Sequence, residues 1–284
     1  MEGGRLPPLP QRGGEGAAAL SVPVPKRLRI VACEIFYREL CHLAARSPRK
    51  VDVEFLPKGL HDRGGSAMRE RLQAAIDATD PGTHDAVALA YGLCNNGLVG
   101  LEARGLPLVL MRAHDCITAF LGSRDRYARH FDERPGTYFE TTGWLERGVD
   151  GEPYGLPSQT GGLGFDFVVL VEKYGEDNAR YILETMTHHY RRLAFIRMGV
   201  EPDGSFEERT RELAAERGWV FEALDGDLGL LRRLVDGPWD AADFLVLQPG
   251  QRAAATLGHE VIVVDEKPPP GGVSPSSSGG GGRR

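Results

Sequence analysis

The sequence predicts an α/β protein with mostly parallel sheets and flanking helices, arranged as two Rossmann-like halves. Three observations predict this class. Short β-branched runs alternate with helical stretches, which is typical of βαβ units. A Gly/Pro-rich segment at 132–165 interrupts that alternation near the middle of the chain. The halves on either side are loosely alike in the order of their elements, which indicates a weak internal duplication.

The first half, 27–131, begins with the apolar run LRIVAC and carries every cysteine of the chain. Apolar runs of strand length, each bounded by turn residues, predict four strands here. They are 28–33, 51–56, 86–91 and 107–112. Stretches of helical periodicity between them predict helices at 35–46, 66–79 and 116–131.

The second half, 166–265, repeats the alternation. Its predicted strands are 166–171, 193–197, 219–223, 243–247 and 260–264, and its predicted helices are 176–190, 206–217, 227–236 and 251–257. The segment between the halves, 132–165, is long for a loop inside a compact domain, so we expect an insertion or a lid. The ends, 1–26 and 266–284, are low in apolar content or complexity and are predicted to be disordered tails.

Composition excludes several classes of protein. The 284 residues are 41% hydrophobic, enough to bury a large core. A net charge of −6 argues against a general nucleic-acid binder, which needs a basic surface. No apolar run approaches the roughly 20 residues of a membrane span, and the apolar N-terminal stretch AAALSVPVP is broken by proline. We therefore expect a cytoplasmic protein that binds neither nucleic acid nor membrane.

Three of the four cysteines follow predicted strands closely. They are Cys33, Cys94 and Cys116, whereas Cys41 lies inside the first predicted helix and is expected to be a core residue. In parallel sheets ligands bind beyond the carboxyl ends of strands, so the three thiols converge if their strands are neighbours. Three thiolates suit zinc or an iron–sulfur cluster. No C-x-x-C or H-E-x-x-H spacing accompanies them, and the alternative is that they are ordinary buried thiols.

His114 and Asp115 stand directly before Cys116. A histidine beside a cysteine can lower the thiol pKa and act as its base, so both residues are candidate catalytic groups. His114 is also a candidate fourth metal ligand. Asp115 has a structural alternative, the N-cap of the following helix.

The turn GLCNNG predicts a small anionic ligand. Glycine and asparagine between a strand and a helix favour left-handed or tight-turn backbone, whose exposed N–H groups can hold an anion. A plain turn is the alternative. The segment QPG offers a second such turn, and the polar residues after strand 166–171 offer side-chain contacts. The predicted ligand-binding residues are Gly92, Asn95, Asn96, Gly97, Tyr174, Asn178, Gln248 and Gly250.

Several longer motifs resemble the bacterial and archaeal domain-of-unknown-function family 1638. They are VACEIFYREL (31–40), YGLCNNG (91–97), MRAHDC (111–116), GTYFETTGW (136–144), EKYGEDNA (172–179) and LDGDLGLLRRLVDGPWDAADFLVLQPG (224–250). The resemblance covers about 28–265. It implies a site that uses the three strand-end cysteines and a link to corrinoid-dependent methyl transfer, with a corrinoid protein or methyltransferase as partner. It implies no particular reaction.

A second resemblance, to aspartate/glutamate racemases, is weaker. Those enzymes use one C-N-T motif from each half as acid and base. Here Cys94-Asn95 is similar, but Asn96 replaces the threonine and the second half has no cysteine. The leading hypothesis is therefore a metalloprotein with zinc or an iron–sulfur cluster on three cysteines. A metal-free cysteine enzyme and a non-catalytic accessory or assembly protein remain the alternatives.

Overall fold

The computed structural model describes residues 25–63, 65–94, 96–147 and 167–265. The predicted tails lie outside these ranges except for residues 25 and 26. Asn95 and residues 148–166 of the predicted insertion also lie outside the described residues. The disorder expected of the tails stays a prediction.

The described residues form ten strands and nine α-helices. The strands are β1 (Arg27–Cys33), β2 (Lys50–Leu56), β3 (Ala86–Ala90), β4 (Leu108–Met111), β5 (Thr137–Glu140), β6 (Arg192–Arg197), β7 (Val220–Asp225), β8 (Phe244–Leu247), β9 (Ala253–Ala255) and β10 (Ile262–Val264). The helices are α1 (Tyr37–Ala44), α2 (Gly65–Asp77), α3 (Cys116–Leu121), α4 (Arg124–Glu133), α5 (Thr142–Glu146), α6 (Phe167–Tyr174), α7 (Glu176–Thr187), α8 (Ser205–Glu216) and α9 (Gly229–Asp236).

The larger sheet has five strands in the order β2-β1-β3-β4-β8. The first four are parallel, and β8 joins β4 in the antiparallel direction. Every residue of β3 and β4 is buried, as expected of central strands covered on both faces. The chain runs outward from β1 to β2 and then returns to place β3 on the other side of β1. The carboxyl ends of β1 and β3 therefore form the topological switch point of the sheet.

The smaller sheet is parallel and has the order β5-β6-β7, and β9 and β10 form a separate antiparallel pair. The mixed α/β class with mostly parallel sheets is therefore confirmed. β5 comes from the segment predicted as an insertion, and β8, from the predicted second half, completes the larger sheet. Among the described helices, none has both the length and the apolar character needed to cross a membrane.

Three sequence-based element predictions were wrong or incomplete. The described part of the run predicted as a strand at 166–171, residues 167–171, belongs to α6, because a short apolar run does not distinguish a strand from a helix. The predicted helix at 251–257 contains the strand β9. The predicted helix at 116–131 is two helices, since Gly122 takes a left-handed φ of 81° and the Ser123 hydroxyl caps α4.

Candidate functional site

Three thiols lie at one edge of the larger sheet. Cys33 ends β1, Cys94 follows β3 within four residues, and Cys116 begins α3 directly after the β4 turn. The strands β1, β3 and β4 are neighbours and run in the same direction. The topology therefore brings the three predicted metal ligands to the same edge, with two of them at the switch point.

Backbone contacts join the Cys94 turn to the segment before Cys116. The N–H of Leu93 donates to the carbonyl of Ala113 at 2.8 Å, and the N–H of Cys94 donates to the carbonyl of His114 at 3.1 Å. These two bonds extend the pairing of β3 and β4 beyond the ends of the strands. The positions of the second and third thiols are therefore coupled by backbone, independently of any ligand.

The turn itself has the unusual backbone that its composition predicts. Cys94 and Asn96 both have positive φ, at 39° and 62°, which is uncommon for residues with a side chain and often marks functional sites. The amide of Gly97, however, donates to the carbonyls of Leu93 and Cys94 inside the turn. The amides of Leu93, Cys94 and Gly97 are therefore engaged by carbonyl oxygens, so the predicted anion nest is less open than the composition indicates.

The thiols influence each other's ionisation. The pKa of Cys33 is raised to about 12, mainly by burial and also by the charge of Cys94. The pKa of Cys94 is also raised to about 12, by burial and then by Asp115, while the backbone N–H groups of Gly92 and Cys116 lower it. For Cys116 burial is the largest cause of a raised pKa, and the charges of Asp115, Cys94 and Cys33 also raise it. The three groups thus share one dry environment that favours neutral thiols.

The segment that follows β5 closes over this edge. Gly143 packs so tightly on the backbone after Cys33 that a Cβ there would stand 1.8 Å from the carbonyl oxygen of Ile35. A hydrogen bond from the Trp144 side chain lowers the pKa of Cys116, against the larger effect of burial. Trp144, in the helix α5 that follows β5, thus reaches the third thiol.

Lys58 is a site residue that the sequence analysis missed. It follows β2, its amide donates to the carboxylate of Glu34 at 2.9 Å, and its ammonium group donates to the carbonyl of Trp144 at 2.7 Å. The ammonium group also lies 5.3 Å from the centre of the Trp144 ring, within the range of a cation–π contact. Its charge lowers the pKa of Cys33. The signal available in the sequence was that Lys58 comes two residues after the predicted strand 51–56.

Tyr91 is a second missed residue. It lies between β3 and the Cys94 turn, is 4% exposed, and its hydroxyl has no hydrogen-bond partner in the described part of the chain. Burial raises its pKa, and the charges of Cys33 and Cys94 raise it further. The phenol therefore lies close to both thiols.

Of the two predicted catalytic residues, His114 and Asp115, the second has a structural role. The side chain of Asp115 caps α3, since Oδ1 accepts from the amide of Thr118 at 3.3 Å, and Oδ2 accepts from the hydroxyl of Tyr127 at 2.8 Å. The cap that was one alternative for Asp115 is confirmed. His114 is exposed, and no hydrogen bond joins its ring to a thiol within the described residues. A catalytic role for either residue stays a prediction.

The predicted ligand contacts outside the GLCNNG turn do not share this edge. Gln248 and Gly250 follow β8, whose antiparallel direction carries them to the opposite end of β4, where the amide of Gly250 donates to the carbonyl of Ala103. Tyr174 and Asn178 are exposed on α6 and α7, and the Asn178 amide donates to the Tyr174 carbonyl at 2.9 Å. The structure therefore places Gln248 and Gly250 away from the cysteines, whereas a ligand contact by Tyr174 or Asn178 stays a prediction.

The expectation that Cys41 is a core residue was wrong, because its side chain is exposed on α1.

The other three cysteines offer the soft donors that zinc and iron–sulfur clusters bind. Among the described residues, no group of three or more His, Cys, Asp and Glu side chains is arranged to hold a metal ion. The thiols fit a metal by chemistry and by position, but their side chains would have to move together to ligate it.

Fold and site together define a mixed α/β protein with one buried and two partly buried thiols at the carboxyl edge of its larger sheet. The model of a family described as "Protein of unknown function (DUF1638)" matches residues 55–235, and the chain belongs to this family. The matched range contains Cys94 and Cys116 but begins after Cys33. Among curated proteins and among solved structures, none matches the chain.

Proposed function

We propose that Cys33, Cys94 and Cys116 bind zinc or an iron–sulfur cluster, and that a small anionic ligand binds over this centre. The observation that carries the proposal is the placement of three thiols at or just beyond the carboxyl ends of three adjacent parallel strands. Ligands bind at this edge in such sheets. A corrinoid protein or methyltransferase as partner belongs to the same proposal and rests on the family resemblance.

The donor set supports a soft metal. Sulfur ligands favour zinc and iron–sulfur clusters over magnesium or calcium, which prefer oxygen. Three protein ligands leave a coordination position open, as in catalytic rather than structural zinc sites. A bound metal would supply Lewis acidity at that position or activate a thiol or water.

The environment of the thiols disfavours a metal-free enzyme in which the chain alone activates a cysteine. A nucleophilic or basic cysteine needs a lowered pKa, supplied by a neighbouring cation or imidazole. Here burial raises the pKa of all three thiols, and the imidazole of His114 is exposed. Lys58 is the one cation that lowers the pKa of Cys33, and its effect is smaller than that of burial.

The full chain, purified without oxygen and reconstituted with zinc or with iron and sulfide, tests the proposal. We expect stoichiometric metal by elemental analysis, or the visible absorbance of a cluster. Serine at 33, 94 or 116 should each abolish stoichiometric binding, and Cys41→Ser is the matched control because that thiol is exposed on α1. A wild-type protein with neither zinc nor cluster would overturn the proposal, as would equal loss in the Cys41→Ser control.

A further inference from the structure

Trp144 brings a hydrogen-bond donor to one of the three thiols. It lies in α5, and its side chain forms a hydrogen bond with the thiol of Cys116. The polar group of an indole ring is its Nε1–H, which donates and cannot accept, so the sulfur is the acceptor. Both side chains are partly buried and pack against the same hydrophobic core. Contacts of this kind orient metal ligands from outside the coordination sphere.

The backbone around Trp144 is fitted to the segment that follows Cys33. Thr141 caps α5, because its hydroxyl accepts from the amide of Trp144 at 3.3 Å. A Cβ on the intervening Gly143 would stand 1.8 Å from the carbonyl oxygen of Ile35, so no side chain fits between the two backbones. Ile35 comes two residues after Cys33. The position of Trp144 is therefore set from the carboxyl end of β1, where the first thiol lies.

Two charged contacts hold α5 in this position. The ammonium group of Lys58 donates to the carbonyl of Trp144 at 2.7 Å and lies 5.3 Å from the centre of its ring. The guanidinium of Arg38, on α1, makes two hydrogen bonds of 2.7 and 2.8 Å to the carboxylate of Glu146. A pair with two such bonds is geometrically specific. The ring that meets Cys116 is thus fixed from α1, from the end of β1 and from the segment after β2.

We propose that Trp144 is a positioning residue of the metal centre, whose indole N–H holds the sulfur of Cys116 in place for ligation. The inference rests on the proposed function for the metal itself. A hydrogen bond to the sulfur restricts rotation of the Cys116 side chain, so less conformational entropy is lost when the metal binds. Ligation then requires movement of the Cys33 and Cys94 side chains toward a sulfur that is already held.

The zinc affinity of the full chain, measured from the metal-free state by competition with a chromophoric chelator, tests the inference. Trp144→Phe keeps an aromatic ring in α5 and removes the Nε1–H. We expect about 10–100-fold weaker zinc binding in this variant. Trp239→Phe is the matched control, because it removes an indole N–H that donates to the carbonyl of Leu234 at 3.0 Å instead of to a thiol. Its zinc affinity should equal that of the wild type.

Two further measurements separate positioning from a general loss of structure. Cobalt in place of zinc reports the bound sulfurs through its thiolate charge-transfer absorbance, which Trp144→Phe should shift and Trp239→Phe should not. Arg38→Gln weakens the hold on α5 without altering the indole, and it should lower zinc affinity by less than Trp144→Phe does. Arg180→Gln, which breaks an exposed pair with Glu176, is its control. Urea denaturation shows that each variant is folded before it is titrated.

The hydrogen bond itself is measured by NMR on the metal-free chain. The sequence has three tryptophans, and the indole N–H signal of Trp144 is the one that is missing in Trp144→Phe. Cys116→Ala removes the acceptor, so this signal should shift and its exchange with solvent should become about fivefold faster. Cys41→Ala, at the exposed thiol on α1, should leave the signal unchanged.

The outcomes separate this inference from the metal centre. Wild-type zinc affinity in Trp144→Phe, or an equal loss in Trp239→Phe, would overturn only the role of Trp144. If Trp144→Phe does not fold, wild-type affinity in Arg38→Gln would overturn that role instead. An indole signal that ignores Cys116→Ala would also overturn it, because the hydrogen bond would not exist. A wild-type chain that binds no metal would overturn the metal centre, while a shifted indole signal in Cys116→Ala would still support the hold on this thiol.

Discussion

Gly92 lies directly against the backbone of Asp115: a Cβ on Gly92 would stand 2.6 Å from both the Cα and the carbonyl carbon of Asp115. Real Cβ atoms do not approach backbone this closely, so only glycine fits here. The contact joins the turn that carries Cys94 to the residue before Cys116. It is therefore a backbone constraint on the spacing of two site thiols.

Gly92→Ala should destabilise the protein and disturb the cysteine site. The added methyl group meets backbone rather than a flexible side chain, so one turn must move. We expect a loss of about 1–3 kcal/mol in the free energy of unfolding, measured by urea denaturation. We also expect weaker metal binding by Cys94 and Cys116.

Gly258→Ala is the control, because a Cβ there meets its nearest atom at an ordinary 3.5 Å. It should leave both stability and metal content unchanged. An alanine at 92 that is as stable as wild type and binds metal normally would show that the two turns move independently.

Arg112 at the end of β4 should matter for stability rather than for ligand binding. It is 7% exposed, and its guanidinium donates to the carbonyls of Phe244, Glu260 and Ile262. Arg112→Ala leaves these carbonyls without their donor, and we expect a loss of about 3 kcal/mol in thermal or urea unfolding. Arg180→Ala, which breaks an exposed pair with Glu176, should cost about 0.5 kcal/mol or less. Similar losses in the two variants would contradict this role.

The placement of Cys33, Cys94 and Cys116 at one edge of the larger sheet could be predicted because it follows from local order. Each cysteine comes directly after an apolar run, and parallel strands place such residues at one edge. The direction of β8 has no comparable local signal. The antiparallel pairing of Leu247 with Leu108 depends on contacts between distant segments. Because of this pairing, Gln248 and Gly250 lie away from the site.

Two other differences between the predicted and the observed elements also have physical causes. The run FVVLV in α6 lacks a clear period, so the sequence alone does not distinguish a helix from a strand there. The strand β5, which ends at Glu140, was not predicted because the glycines and prolines of its segment indicate a loop. The alternation in TYFE fits a short strand. For Lys58 the signal in the sequence was its position two residues after the predicted strand 51–56.

Glu39 should make folding stability depend on pH. It is 1% exposed on α1, and both carboxyl oxygens lack hydrogen-bond partners in the described chain. Burial raises its pKa from 4.5 to about 7, and the charge of Glu201 also raises it. Between these pH values the unfolded chain releases the proton before the folded one does. The free energy of unfolding therefore falls as pH rises from about 4.5 to about 7 and stays low above that.

Glu39→Gln removes this titration while keeping a buried polar side chain of similar size. Relative to wild type, the variant should gain about 2–4 kcal/mol between the two ends of that range. Urea denaturation at several pH values measures the difference. Glu70→Gln, at an exposed position on α2, should show no such gain. A constant difference between Glu39→Gln and wild type at all pH values would mean that Glu39 titrates normally in the folded protein.

The order in which the four thiols are alkylated distinguishes the metal proposal from a metal-free thiol enzyme. Reactivity requires both access and thiolate. Cys41 is exposed, whereas burial keeps the thiols of Cys33, Cys94 and Cys116 neutral. We expect iodoacetamide at neutral pH to modify Cys41 at least about tenfold faster than the other three in metal-free protein. Peptide mass spectrometry gives the four rates.

The same measurement after metal loading adds a second criterion. Zinc should slow the modification of the three strand-end thiols further and leave the rate at Cys41 unchanged, because only bound thiolates are protected. Faster modification of Cys94 or Cys116 than of Cys41 in metal-free protein would identify an activated thiol instead. Faster modification of Cys33 than of Cys41 would point to Lys58 as its activator, since the charge of its ammonium group lowers the pKa of that thiol. Lys58→Met would in that case slow the modification, while Lys50→Met, exposed at the start of β2, would not.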